Sequence, residues 1–245
     1  MRRFLYAMIL CLLLTPAVAG AQEYVVIDSS VAALANGTKL EANATLDIPA
    51  KGRVVLLAST GQVQAVEGPY QGPPPAASGA SGAGAGGMIN VVAALATEGS
   101  ARHELGVARA IDWRADAIKT PRDALAVDAS DGGDICVFDP ANADVIHDPS
   151  NAGTMTVQSM SNGAQATLTW DKGTLHQPWP SALSMNDGDM FSFEQKGGDQ
   201  AAMATIHVLK ATPAASDVER AVQMAQAGCQ DQAKRLLAVV AQSAK

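Results

Sequence analysis

The sequence predicts a mainly β protein: a small N-terminal β domain, a Gly/Pro/Ala linker, an antiparallel β-sandwich and a C-terminal helical tail. Three observations predict it. Short β-branched or alternating runs recur between turn pairs over residues 22–72 and again over 111–210. A stretch of Pro, Ala, Ser and Gly over 73–87 separates these two regions. Helical periodicity is confined to 88–110 and to 211–245.

The chain opens with Met1, Arg2 and Arg3, an apolar run from Phe4 to Leu14, and Ala19-Gly20-Ala21. A basic start, an apolar middle and small residues spaced A-x-A read as a secretory signal peptide over 1–21. The apolar run is about half of the roughly 20 residues that span a bilayer, so cleavage is expected rather than retention as an anchor. The chain would then work in the periplasm or outside the cell, without a membrane span once the leader is removed. Losing Arg2 and Arg3 makes a net charge of −7 more negative still. Nucleic acid and anionic lipid need clustered Lys and Arg, so neither fits this chain as a partner. Aromatic residues are 4 % of the total, which leaves the packing to Val, Leu, Ile, Met and Ala.

In the first β domain, Tyr24-Val25-Val26-Ile27 and Val54-Val55-Leu56-Leu57 are apolar runs, while Thr45 to Ile48 and Gln62 to Val66 alternate. Asn36-Gly37, Lys51-Gly52 and Thr60-Gly61 supply the turns between them. Pro73-Pro74-Pro75 then starts a segment that is stiff at the prolines and flexible beyond them, a tether that lets the two β units change position relative to each other. Gly82, Gly84 and Gly87 satisfy G-x-G-x-x-G there. A dinucleotide fingerprint needs a buried strand feeding its first glycine, and polyproline occupies that place, so the match reads as low complexity. Met88, Val91, Val92 and Leu95, then Leu105 and Val107, indicate one or two bridging helices with a break at Gly99-Ser100.

Strand patterns return at Ile135 to Phe138, Thr154 to Val157, Ala166 to Trp170, Met190 to Phe193 and Ala204 to Leu209, with glycine turns between them, as in a β-sandwich. In the tail, Ser216 and Glu219 make a capping box, and Val218, Val222, Ala225, Cys229, Leu236 and Val240 recur at helical spacing around Gly228.

Chemistry-bearing residues are few. Beyond Cys11 in the leader, the two cysteines are Cys136 and Cys229. In an oxidising compartment an isolated pair is read as one disulfide, which would staple the tail to the sandwich, with two buried thiols as the alternative. His103, His147, His176 and His207 have no paired spacing, and are expected at the surface. G-x-S-x-G, H-E-x-x-H and P-loop signatures do not occur. Asp128, Asp131 and Asp134 surround Gly132-Gly133; hard oxygens at close spacing suit calcium, but the terminal Glu of a calcium loop is missing, and a solvated turn is the simpler reading. Trp179 lies between Pro178 and Pro180. It and Trp170 are the candidate ligand surface, with a core plug as the favoured role for Trp179.

Gly37-Thr38-Lys39-Leu40, Ala44 to Leu57 and Gly61-Gln62-Val63 resemble the periplasmic β-domain of FecR-like proteins, without the membrane helix of its signalling members. The second half is similar to exported proteins of Gram-negative bacteria with a Cys strand, a Trp-Pro turn and a G-C-x-x-Q-A tail, carried here by Cys136, Trp179-Pro180 and Gly228-Cys229 to Gln232-Ala233. Neither resemblance implies an activity. The expected function is that of a non-enzymatic, cofactor-free interaction protein with another envelope protein as partner; the alternative is a small-ligand or carbohydrate-binding module.

Overall fold

A computed structural model describes residues 22–78, 85–104, 114, 117–130, 132–197, 201–210 and 215–244. The predicted leader over 1–21 lies outside the described residues, as do Asp131, the middle of the Gly-rich segment and most of 105–116. The fold is mainly β, as the strand patterns predict, with helices packed between two β units.

The first unit contains β1 (Glu23–Ser29), β2 (Lys39–Glu41), β3 (Leu46–Ile48), β4 (Arg53–Ala58), β5 (Val63–Glu67) and β6 (Tyr70–Gly72). The order β2-β1-β4-β5 is antiparallel throughout, and β3 and β6 pair separately. Period-2 alternation sends Tyr24, Val26, Val54, Leu56 and Ala58 to one face, where Leu46 and Ile48 of the β3–β6 pair cover them. Val25, Ile27, Val55 and Leu57 point to the other face and meet helices.

The linker departs from the expected free tether. Tyr24 donates its hydroxyl to the Pro75 carbonyl at 2.9 Å, Gln22 Nε2 donates to the Ala77 carbonyl at 3.2 Å, and the Ser78 amide donates to Gln62 Oε1 at 2.6 Å. Residues 73–78 are thus laid along the first unit, because an extended proline backbone keeps its carbonyls free to accept. Residues 85–87 already belong to α1 (Ala85–Glu104), which runs through Gly99-Ser100 where a break was expected. Gly37, at φ +85°, presses against this helix: a Cβ there would lie 2.8 Å from the Ala93 carbonyl oxygen. That approach is open to glycine alone.

The second unit begins with α2 (Pro121–Leu125) and continues through β7 (Val127–Asp128), β8 (Gly133–Val137), β9 (Asp144–Ile146), β10 (Gly153–Ser159), β11 (Gln165–Trp170), β12 (His176–Pro178), β13 (Met190–Gln195) and β14 (Ala202–Val208). Two sheets, ordered β11-β10-β13-β14-β8 and β12-β9-β7, enclose a core that includes Val137, Val145, Met155, Val157, Phe191, Phe193 and Ile206. The sandwich is mixed and not purely antiparallel, since β14 pairs with β8 in parallel, and so does β7 with β9. Turn glycines announce hairpins but carry no signal for parallel pairs, whose connections are long.

The tail forms α3 (Asp217–Gln226) and α4 (Gln230–Ser243), separated by Gly228 at φ +98°. The predicted capping box is present: Ser216 Oγ accepts from the Glu219 amide, and Glu219 Oε2 accepts from the Ser216 amide. With α1, these helices fill a central layer. Ile89, Val92, Leu95, Val218, Met224, Ala233 and Leu236 meet Val25, Val55 and Leu57 of the first unit together with Cys136 and Ile146 of the second. Arg53 Nη2 donates to the carbonyls of Ala241 and Ala244 at 3.0 Å each, satisfying the C-terminal end of α4. The two β units share one helical core instead of moving independently.

Candidate functional site

The cysteine pair is structural. Cys136 in β8 and Cys229 at the start of α4 form a disulfide with Cα atoms 5.9 Å apart, spanning 93 positions. Beside it, Gln232 is 2 % exposed and completes the edge of β8: its Oε1 accepts from the Cys136 amide at 2.9 Å, and its Nε2 donates to the Cys136 carbonyl at 3.1 Å.

Neither candidate tryptophan offers a platform. Trp170 is 4 % exposed and stacks on His147 with ring centroids 3.9 Å apart. Trp179 packs edge-on against Phe191 and Phe193 and donates Nε1–H to the Leu183 carbonyl at 2.7 Å, closing the sandwich core. The acidic turn is divided in the same way. Asp128 is fully buried, accepting from Arg114 Nε and from the Ser130 amide and hydroxyl, with Arg235 at 3.6 Å. Asp134 is half exposed and accepts from His207 Nε2 at 2.7 Å. Among the described residues, no three His, Cys, Asp or Glu side chains converge as metal ligands.

His147 corrects the surface expectation, while the side chain of His103 lies outside those described. His207 has Asp134 as a partner. His147 is 4 % exposed, with Nδ1 3.3 Å from the Asp148 carbonyl and a buried Nε2 that has no partner. Burial pushes its pKa below the ordinary value of 6.5, against the opposing pull of Asp148. His176 sits between two carboxylates: Nε2 is 2.7 Å from Asp123 Oδ1, and Nδ1 is 3.4 Å from Asp144 Oδ2. Burial would raise the Asp123 carboxyl, but bonds from the Lys119 and Thr120 amides, His176 and the Thr120 hydroxyl outweigh it and hold the pKa below 3.8. Thr120 and Asp123 form the capping box of α2, a spacing readable in the sequence; the pairing of β9 with β12 that brings Asp144 to His176 is not.

This cluster lies beside a recess of about 440 Å³ between α2, the β8–β9 connection and α3. Leu125, Ala126, Val137 and Phe138 provide apolar lining, and Arg122, Asp139, Asp144 and Arg220 add charge. Arg122 is tied to Asp144 at 2.6 Å and Arg220 to Asp217 at 3.1 Å. Arg220 Nε is buried without a hydrogen-bond acceptor. The recess thus combines apolar surface with charges held in place by partners, which suits binding of a group with both an apolar body and a polar end. No family model, curated protein or solved structure matches the chain.

Proposed function

We propose that the chain is an exported, non-enzymatic interaction protein that receives an apolar, acceptor-bearing group of another envelope protein in the recess beside Phe138. The lining of the recess carries this reading: Leu125, Val137 and Phe138 form an apolar floor beside Arg122 and Arg220, where a partner's apolar anchor bearing a carbonyl or carboxylate fits. An apolar pocket among charges is also where interface anchors seat. Export and a periplasmic setting draw support from the disulfide and from the FecR-like pattern of the first unit. Among the described residues, no helix is long and apolar enough to cross a membrane.

The size of the recess supports a second reading, a small-ligand or carbohydrate-binding module, since small-molecule sites occupy about 300–1,000 Å³. Affinity capture from periplasmic extract with the wild type, Phe138→Asp and Arg220→Gln separates the two. The interaction reading expects a partner held by the wild type and lost from both variants. Equal capture by all three overturns it, as does robust turnover in a hydrolase panel; glycan or small-acid binding that both variants abolish, with no protein captured, establishes the module instead.

A further inference from the structure

The large apolar side chains that stand most exposed among the described residues are all methionines: Met160 at 50 %, Met190 at 45 % and Met203 at 39 %. They share one face of the five-stranded sheet. Phe191 and Phe193 point into the sandwich core, so Met190 and Ser192 point out; Ala204 and Ile206 point in, so Met203, Thr205 and His207 point out. Met160 follows Ser159 at the end of β10, and its amide donates to the Met190 carbonyl at 2.9 Å, extending the pairing of Ser159 with Phe191 by one position. Met160 and Met190 are therefore directly opposed. On the other side, Met190 pairs with Thr205 and Ser192 with Met203, which places Met203 on the diagonal from Met190 and His207 on the opposite diagonal. Opposed residues on one sheet face have Cβ atoms about 5 Å apart and diagonal ones about 7 Å, within reach of long side chains.

We propose that this patch binds one Cu(I) ion seated over Met190, with Met160 and Met203 supplying further thioether sulfur. Thioether is a soft ligand that selects Cu(I) and offers little to zinc, calcium or magnesium. Metal–sulfur bonds of about 2.3 Å put two sulfurs on one ion roughly 4 Å apart, a separation that the flexible Met160–Met190 pair attains without moving backbone. His207 leans away from the patch, its Nε2 lying 2.7 Å from Asp134 Oδ1 on β8, across β14 from Met190. The patch shares no residue with the recess, so this site stands independently of the interaction reading.

Titration of the exported, disulfide-intact protein with Ag(I), a redox-stable stand-in, and with Cu(I) against a chromogenic chelator tests the site. One ion per chain is expected, with methyl NMR shifts at Met160, Met190 and Met203 while buried Met155, Met185 and Met224 stay unmoved. Zn(II) should shift none of them. Replacing the three methionines with leucine preserves the apolar surface and is expected to weaken Cu(I) binding more than 100-fold, whereas His207→Ala leaves it unchanged. Unchanged affinity in the triple leucine variant overturns the proposal, as does loss of binding in His207→Ala alone. A protein partner captured equally by the wild type and the leucine variant, with no Ag(I) shift in the methyl groups, would show an apolar contact surface in place of a metal site.

Discussion

The four-stranded sheet of the first unit and the five-stranded sheet of the second are both largely antiparallel, yet their sequences read differently. β1 and β4 are nearly continuous apolar runs, Tyr24 to Ile27 and Val54 to Ala58, because the β3–β6 pair covers one face and the helices cover the other. β10, β11 and β13 alternate, with Met155, Val157, Leu168, Phe191 and Phe193 inside and Thr154, Thr156, Thr167 and Ser192 outside. The run length of apolar residues thus reports how many faces of a sheet are covered, and strand direction matters less. Coverage also decides where binding can occur. The doubly covered sheet has no large face left, and the singly covered one presents the threonine and methionine surface.

The largest effect should come from the bond that fastens the helical layer to the second unit. Reduction, or Cys136→Ala with Cys229→Ala, is expected to cost about 2–5 kcal/mol, read as a drop in melting temperature. Because Arg53 holds the end of α4, amide exchange should rise in β4 as well as in α4; an unchanged β4 would mean that the first sheet does not depend on its helical cover. Next in size are large-to-small changes. Leu56→Ala faces the β3–β6 pair and Leu57→Ala faces the helices, and each is expected to lose about 2–5 kcal/mol in urea unfolding. Thr156→Ala on the open face should stay within about 0.5 kcal/mol. Similar losses at Leu57 and Thr156 would break the contrast between the sheets.

A smaller effect is expected where the open sheet meets the helices. Gln232→Leu leaves the Cys136 amide and carbonyl without their side-chain partner, at a cost of about 1–3 kcal/mol. Exchange at the Cys136 amide should accelerate more than exchange elsewhere in β8. Equal acceleration along the strand would assign Gln232 a packing role only.

What was legible in the sequence follows from the range of each signal. The runs in β1 and β4, the capping box at Ser216 and the Cys136–Cys229 pair depend on local pattern or on simple counting. The apolar stripes of α1 and α4 show that one face is buried but not what it is buried against, so the sequence carries no sign of the shared helical core and the proline segment reads as a free tether. The recess and the His176 cluster depend on the long-range pairing of His176 with Ile146 and of Pro178 with Asp144, which leaves no trace in spacing. The methionine patch is intermediate. Alternation places each methionine on an outer face, while the cross-strand register that brings Met160, Met190 and Met203 together emerges only in the folded sheet.

The smallest expected effect separates the two units by pH. His147, at the end of β9, stacks on Trp170, and burial keeps its folded pKa below the unfolded value of 6.5. Between those two values the unfolded chain binds the proton more readily than the folded one, so the stabilisation is complete above pH 6.5 and declines as pH falls below it. Asp123, also depressed, adds its loss only below pH 3.8, in a separate window. One group changes stability by at most about 1.4 kcal/mol per pH unit, so the slope should be shallow. Urea midpoints at pH 7 and pH 5 should differ in the wild type, and His147→Phe, which keeps an aromatic ring against Trp170, should flatten that difference. Hydrogen exchange at pH 5 should accelerate in β9 and β12 while β1 and β4 stay protected, since no shifted histidine lies within the first sheet. A wild-type slope that survives unchanged in His147→Phe would place the acid sensitivity elsewhere, and parallel loosening of both sheets would mean that the helical layer transmits it.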